Sequence, residues 1–306
     1  MLAAMRKAWA RLALAAWLPL AGCAQDAAAS PPAAAGAAAR PALWRLADED
    51  TIVYLFGTIH LLPRDSKWRT RKFDQAVQRS QTLVLETLID SANPHQLAGL
   101  MATMGFANGL PPIAQRVDPA KRAALEAAIV KTRIPRAIFD RMETWAAAFT
   151  LLGVQFQSLG LQGEEGVEAV LRKAFTAAGK PVAQLETNQQ QLAFFDALPE
   201  QAQRSLLEGA IENPQDMREK FDGMLRSWLD GDVDAIARTF NHDLQDSPEL
   251  RAALLTRRNW NWSQWIAQRM AQPGVVMVAV GAGHLAGDVS VQRYLQGRGY
   301  RIRRIQ

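Results

Sequence analysis

The chain has 306 residues, enough for one large domain or two small ones. Hydrophobic residues make up 49% and charged residues 21%, ordinary values for a globular protein. The formal charge is +5, but without Arg6, Lys7 and Arg11 of the leader it falls to +2, with no clustered basic stripe, which excludes a nucleic-acid binder.

Arg6, Lys7 and Arg11 precede a short apolar run, Leu12 to Leu20. Spanning a bilayer takes about 20 apolar residues, so this run reads as an export signal and not as an anchor. It ends in Leu20-Ala21-Gly22-Cys23, which resembles the bacterial lipobox. The resemblance implies a signal peptide over 1–22, cleavage before Cys23, acylation of that residue and attachment to an envelope membrane through several acyl chains. Ala24 after the cysteine points to the periplasmic face of the outer membrane. Cys23 is the chain's single cysteine, so intramolecular disulfides and cysteine-based sites in the folded part are excluded. Residues 23–41 are almost all Ala, Pro, Gly and Ser and read as a tether.

Folded structure is expected over 42–306. Leu43 to Leu46 and Thr51 to Phe56 are strand-like runs joined by Asp48-Glu49-Asp50, a hairpin pattern. The second run delivers Gly57 and, three residues on, His60. Lys67 to Ser80 has helical spacing, and Thr82 to Leu85 is a short apolar strand ending in Glu86. A strand, a helix and a strand put His60 and Glu86 on one edge of a parallel sheet, where open α/β sheets place their ligands. A carboxylate at the end of a buried strand is costly unless it is paired, hydrogen-bonded or metal-bound.

The middle of the chain has helical patterns. Asp118-Pro119 opens one through Lys131, and Pro135 opens another through Trp145 and Phe149 toward Leu159. Val167 to Ala177 is a short amphipathic helix. Pro181 to Leu185 is a second short strand ending in Glu186, and both Leu85 and Leu185 begin a Leu-Glu-Thr segment. Helical patterns follow over 188–196, 199–211, 214–230 and 232–243. Pro248 to Met270 reads as one long helix carrying Arg258, Asn259 and the tryptophans 260, 262 and 265, which are expected to pack on the sheet. Val275 to Val280 is an apolar strand feeding Gly281 and His284, a second Gly-x-x-His. A helix near 289–296 and a strand over 300–305 close the chain. The fold class is therefore α/β. The N- and C-terminal strands form a central sheet, with a large helical block over about 105–270 inserted between them.

The candidate site residues are His60, Glu86, Glu186, Arg258 and His284. Two imidazoles and a carboxylate form a ligand set for a divalent metal such as Mn, Co, Fe or Zn. Such an ion would acidify water and polarise a carbonyl, with a second glutamate as general base and Arg258 facing an oxyanion. The same residues allow a metal-free reading, in which a histidine with a glutamate partner deprotonates water directly. No Gly-x-Ser-x-Gly elbow is present, which argues against serine catalysis. His95 and His242 sit in polar helical contexts and read as structural or solvated.

The segments Leu43-Trp44, Tyr54 to His60, Leu85-Glu86, Gly179 to Val182, Leu185-Glu186-Thr187, Arg258-Asn259 with Trp262, and Val280 to Leu285 together resemble the TraB/GumN family over about 43–305. The family is related in its core to the Tiki metalloproteases, and more distantly to erythromycin esterases and ChaN-like haem-binding lipoproteins. The resemblance implies a metal-dependent hydrolase, peptidase-like, acting on peptide or protein. His60, Glu86 and His284 would be its metal residues, and Glu86, Glu186 and Arg258 its catalytic residues. The ChaN likeness implies the alternative of a haem- or ligand-binding envelope lipoprotein, which the chain's 3 tyrosines do not favour. The sequence leaves the oligomeric state open.

Overall fold

The computed structural model describes residues 39–88, 94–244 and 248–306. The leader, Cys23 and most of the tether lie outside the described residues. So do the side chains of His95 and His242.

The described strands are β1 (Leu43–Ala47), β2 (Thr51–Thr58), β3 (Leu62–Pro63), β4 (Thr82–Leu85), β5 (Leu161–Gln162), β6 (Val182–Gln184), β7 (Gly274–Gly281) and β8 (Ile302–Arg304). The helices before β6 are α1 (Arg71–Arg79), α2 (Pro94–Met104), α3 (Arg122–Thr132), α4 (Arg136–Phe139), α5 (Thr144–Ser158) and α6 (Val167–Ala177). Those after it are α7 (Asn188–Asp196), α8 (Glu200–Gly209), α9 (Pro214–Asp230), α10 (Val233–Leu244), α11 (Pro248–Arg251), α12 (Arg257–Arg269) and α13 (Val291–Gly297).

Six strands make one sheet in the order β6-β4-β7-β2-β1-β8. The first four are parallel, whereas β1 is antiparallel to both β2 and β8. The expected hairpin is present, and Asp48 closes it by accepting the backbone N–H of Thr51 at 2.8 Å. β2 and β7 are neighbours in the middle, which explains why both read as near-continuous apolar runs. Alternate residues leave the two faces. Tyr54, Phe56, Leu83, Leu85, Met277 and Ala279 join the large core built with α1, α5 and α6. Val53, Leu55, Val84, Val276, Val278 and Val280 join a second core with α12 and α13. The result is an α/β fold with helices on both faces. No helix among the described residues is long and apolar enough to cross a membrane.

Several local expectations change. The helix read from Pro135 to Leu159 is two, α4 and α5. Buried Arg116 donates to the carbonyls of Asp140 and Met142, and Met142 bridges to Phe106, so the intervening residues leave the helix. The short strand expected within the stretch 105–270 is present as β6, which pairs with β4. Pro248 to Arg269 is continuously helical, but Ala252–Thr256 forms a π turn just before Arg258. Trp262 packs in the core as expected, while Trp260 points outward at 50% exposure. The final strand is shorter than read, Ile302–Arg304.

Candidate functional site

Because β2, β4, β6 and β7 are parallel, the residues that follow them emerge on one edge of the sheet. His60 follows β2, Glu86 follows β4, Glu186 follows β6 and His284 follows β7. Arg258 arrives from α12 over the same edge. All five candidates therefore meet, and all are buried.

Arg258 is the centre. Its Nη2 donates to Glu86 Oε2 at 2.6 Å and to Glu186 Oε2 at 2.8 Å, and its Nε lies 3.0 Å from both Glu186 oxygens. The guanidinium stacks on Trp262, 4.6 Å from the ring centroid, and Trp262 Nε1 donates to Glu186 Oε1 at 3.0 Å. Glu86 also accepts the N–H of Gly281 at 2.6 Å and an N–H of Gln191 at 3.2 Å. Burial alone would raise the Glu86 pKa, but Arg258 and the neighbouring imidazoles outweigh it and hold the carboxylate at about 2. Glu186 goes the other way: burial pushes its pKa up against the pull of Arg258.

His284 has a defined tautomer. Asn259 Nδ2 donates to the Val289 carbonyl at 2.8 Å, which turns Asn259 Oδ1 toward His284 Nδ1 at 2.6 Å. Nδ1 must then carry the proton, and the Nε2 lone pair accepts from Arg258 Nη1 at 3.2 Å. Burial first, and then the Arg258 charge, depress the His284 pKa to about 3 against the pull of Glu86. It is a neutral acceptor that holds Arg258.

His60 has a different partner. Its Nδ1 lies 2.6 Å from Glu168 Oε1, and Thr58 Oγ1 donates to the same oxygen. Burial would lower the His60 pKa, but Glu168 and Glu86 reverse this and raise it. Its Nε2 faces the rest of the site across Gly281. A methyl group built on Gly281 would lie 3.2 Å from Glu86 Oε1 and 3.5 Å from both His60 Nε2 and His284 Cδ2. Three of the expected ligands therefore converge above this glycine.

As arranged, they do not fit a divalent ion. The Nε2 lone pair of His284 and one oxygen of Glu86 are already taken by a guanidinium, and a dication there would face a fixed positive charge at bonding range. Among the described residues no group of three His, Cys, Asp or Glu side chains is disposed to hold a metal.

Glu168, Thr58 and Gln191 were not among the candidates. Glu168 left a signal: with Leu171 and Phe175 it forms the i, i+3, i+7 stripe of the α6 face that is buried. A carboxylate on such a stripe needs a buried partner. Gln191 left none, since its role depends on how α7 packs. Beside the site, an apolar crevice of ≈ 220 Å³ is lined by Trp44, Gly57, Trp228, Ile236 and Ala282, among others.

The chain is 25% identical to the YbaP protein of Escherichia coli K12 over 248 residues, covering 79% of this chain and 87% of the relative. It has the same likeness to YbaP of Shigella flexneri. No solved structure matches. The model of the TraB/PrgY/gumN family matches residues 42–304, which take in every strand of the sheet and all five residues on its edge. With the expected motifs gathered there, the chain belongs to the TraB/PrgY/gumN family.

Proposed function

We propose that this protein is a hydrolase in which His60, held by Glu168, is the general base. The observation that carries the reading is the His60–Glu168 contact at 2.6 Å, with Nε2 facing the space above Gly281 beside an ionised Glu86. A carboxylate on Nδ1 orients the ring and stabilises the imidazolium formed when Nε2 takes a proton from water. The activated hydroxide would attack a carbonyl carbon seated above Gly281, and the scissile C–N or C–O bond would then break as the leaving amine or alcohol takes the proton back from His60 Nε2. The fixed charges of Glu86, Arg258 and Glu186 would form the polar floor beneath it. Peptide bonds are the first substrate class to try, followed by esters. The metal-dependent form of the reaction is the competing expectation, and the experiment separates the two.

The chain from Ala24 to Gln306 is assayed against a fluorogenic peptide library and a set of aryl esters, with and without a chelator, beside His60→Gln and Glu168→Gln. Turnover is expected to survive chelation and to fall about 10²–10⁴-fold in His60→Gln. The acid limb of kcat/KM is expected above pH 6.5, because the raised His60 pKa must be exceeded before the base is free. Glu168→Gln should move that limb to lower pH. Full activity in His60→Gln would overturn the assignment, and activity lost to chelator and restored by Mn or Co would favour the metal-dependent form.

A further inference from the structure

We propose that the exposed surface of β1 and of the edge strand β8 is a docking surface for an anionic lipid bilayer. The two strands are antiparallel, and Arg45 and Arg303 are direct cross-strand partners. Both are exposed, as are Arg301 beside them and Arg304 at the end of the strand. Lys72 of α1 reaches the same edge and donates to the Ile305 carbonyl at 2.8 Å. Like charges directly opposite one another destabilise a strand pair. Among the described residues Arg45, Arg301 and Arg303 form no ion pair that would relieve this. The acidic run Asp48-Glu49-Asp50 lies at the turn, where Asp48 and Asp50 bond to Thr51. In sequence Arg301, Arg303 and Arg304 lie together near the C-terminus and Arg45 lies far from them; the sheet register brings Arg45 opposite Arg303.

An edge strand carries charge to prevent pairing with another chain. An opposite-sign pair would do this without the repulsion, so the matched arginines call for an external anion. The entry point of the chain says which. Gln306 Nε2 donates to the Pro41 carbonyl at 2.7 Å, and Ile305 N donates to Leu43 O at 2.8 Å, so the tether enters the fold beside β8. The lipid expected on Cys23 is 17 residues before Arg40, which keeps this edge within about 60 Å of the bilayer. The choice of a bilayer rests on that anchor, which is tested separately by fractionating cells that carry full-length Cys23→Ser.

The test omits the anchor. The chain from Ala24 to Gln306, which holds every described residue, is sedimented with vesicles of mixed phosphatidylglycerol and phosphatidylcholine, and with vesicles of phosphatidylcholine alone. Binding is expected only to the anionic vesicles and should fall as salt rises. The variant Arg45→Gln/Arg301→Gln/Arg303→Gln should bind about 100-fold more weakly. The charge-matched control Lys131→Gln/Arg141→Gln/Arg226→Gln should bind like the parent. No binding to anionic vesicles, equal weakening in the control, or capture by duplex DNA without vesicle binding would each overturn the proposal.

Discussion

Arg258 is a lone guanidinium between two buried carboxylates and a neutral imidazole. A buried pair tolerates joint replacement far better than loss of one partner. Arg258→Met is expected to destabilise the fold by about 3–5 kcal/mol, read by urea denaturation, because Glu86 and Glu186 are left facing each other. Adding Glu86→Gln and Glu186→Gln should return much of that stability; no recovery would show that the pairing is not what the arginine supplies. His284 gives a second handle. Its pKa falls from 6.5 unfolded to about 3 folded, so the unfolded chain takes up the proton first as pH falls. The stability His284 contributes is whole above pH 6.5 and is lost progressively toward pH 3. Glu86, lowered from 4.5 to about 2, follows the same sign in a lower window, whereas Glu186, pushed up, works in the opposite direction. His284→Asn should therefore be less stable at pH 7, and its stability should fall less steeply between pH 6.5 and 4.5. The difference in slope should approach 1.4 kcal/mol per pH unit, the value for one proton. Parallel curves would mean that His284 titrates normally.

At the scale of elements, the site depends on α6 as much as on the strands. Gly166 opens that helix, and a methyl group built there would lie 2.0 Å from the His60 carbonyl oxygen. The close approach is fixed by Val167 N donating to Ile59 O at 3.1 Å, and it brings Glu168 under the imidazole. Gly166→Ala must move backbone, so it is expected to lose about 1–3 kcal/mol and to separate Glu168 from His60. Its pH–rate profile should match that of Glu168→Gln, while its melting temperature should lie below that variant's. An unshifted profile would detach α6 from the chemistry. Here the limits of reading the sequence are physical. The strand ends His60, Glu86, Glu186 and His284 were legible because short apolar runs closed by Gly or Glu announce where a strand stops, and parallel order puts those ends together. The distribution of partners was not. Arg258 reads as a free cation for an oxyanion, yet it is saturated by Glu86, Glu186 and His284, because α12 lies across the edge at a height that only packing sets. Trp260 and Trp262 look alike in sequence, and the turn of the helix sends one to solvent and one to the core.

On the scale of the whole molecule, the sheet gathers the family's motifs at one edge, while the first described residues and the C-terminus meet beside β8, so the proposed chemistry and the proposed attachment would occupy different parts of the protein. The two expectations for the edge differ in what the folded state can bind. An ion that binds only the folded chain raises its stability by about 2.7 kcal/mol at a hundredfold excess over Kd. For a domain of this size that is a rise in Tm of roughly 5–10 °C. With Arg258 already bonded to Glu86 and His284, a dication must first displace a guanidinium held by five contacts of 3.2 Å or less. Titrating Mn, Co, Zn or Fe(II) into the chain from Ala24 is therefore expected to leave Tm within about 1 °C of the metal-free protein. The same titration of Arg258→Met separates two causes. If the arginine is the obstacle, the variant gains a metal-dependent rise in Tm, and His60→Ala or His284→Ala placed on top of it removes that rise. A rise in the parent that either histidine substitution abolishes would reinstate His60, Glu86 and His284 as metal ligands, with Arg258 moving aside when the ion binds.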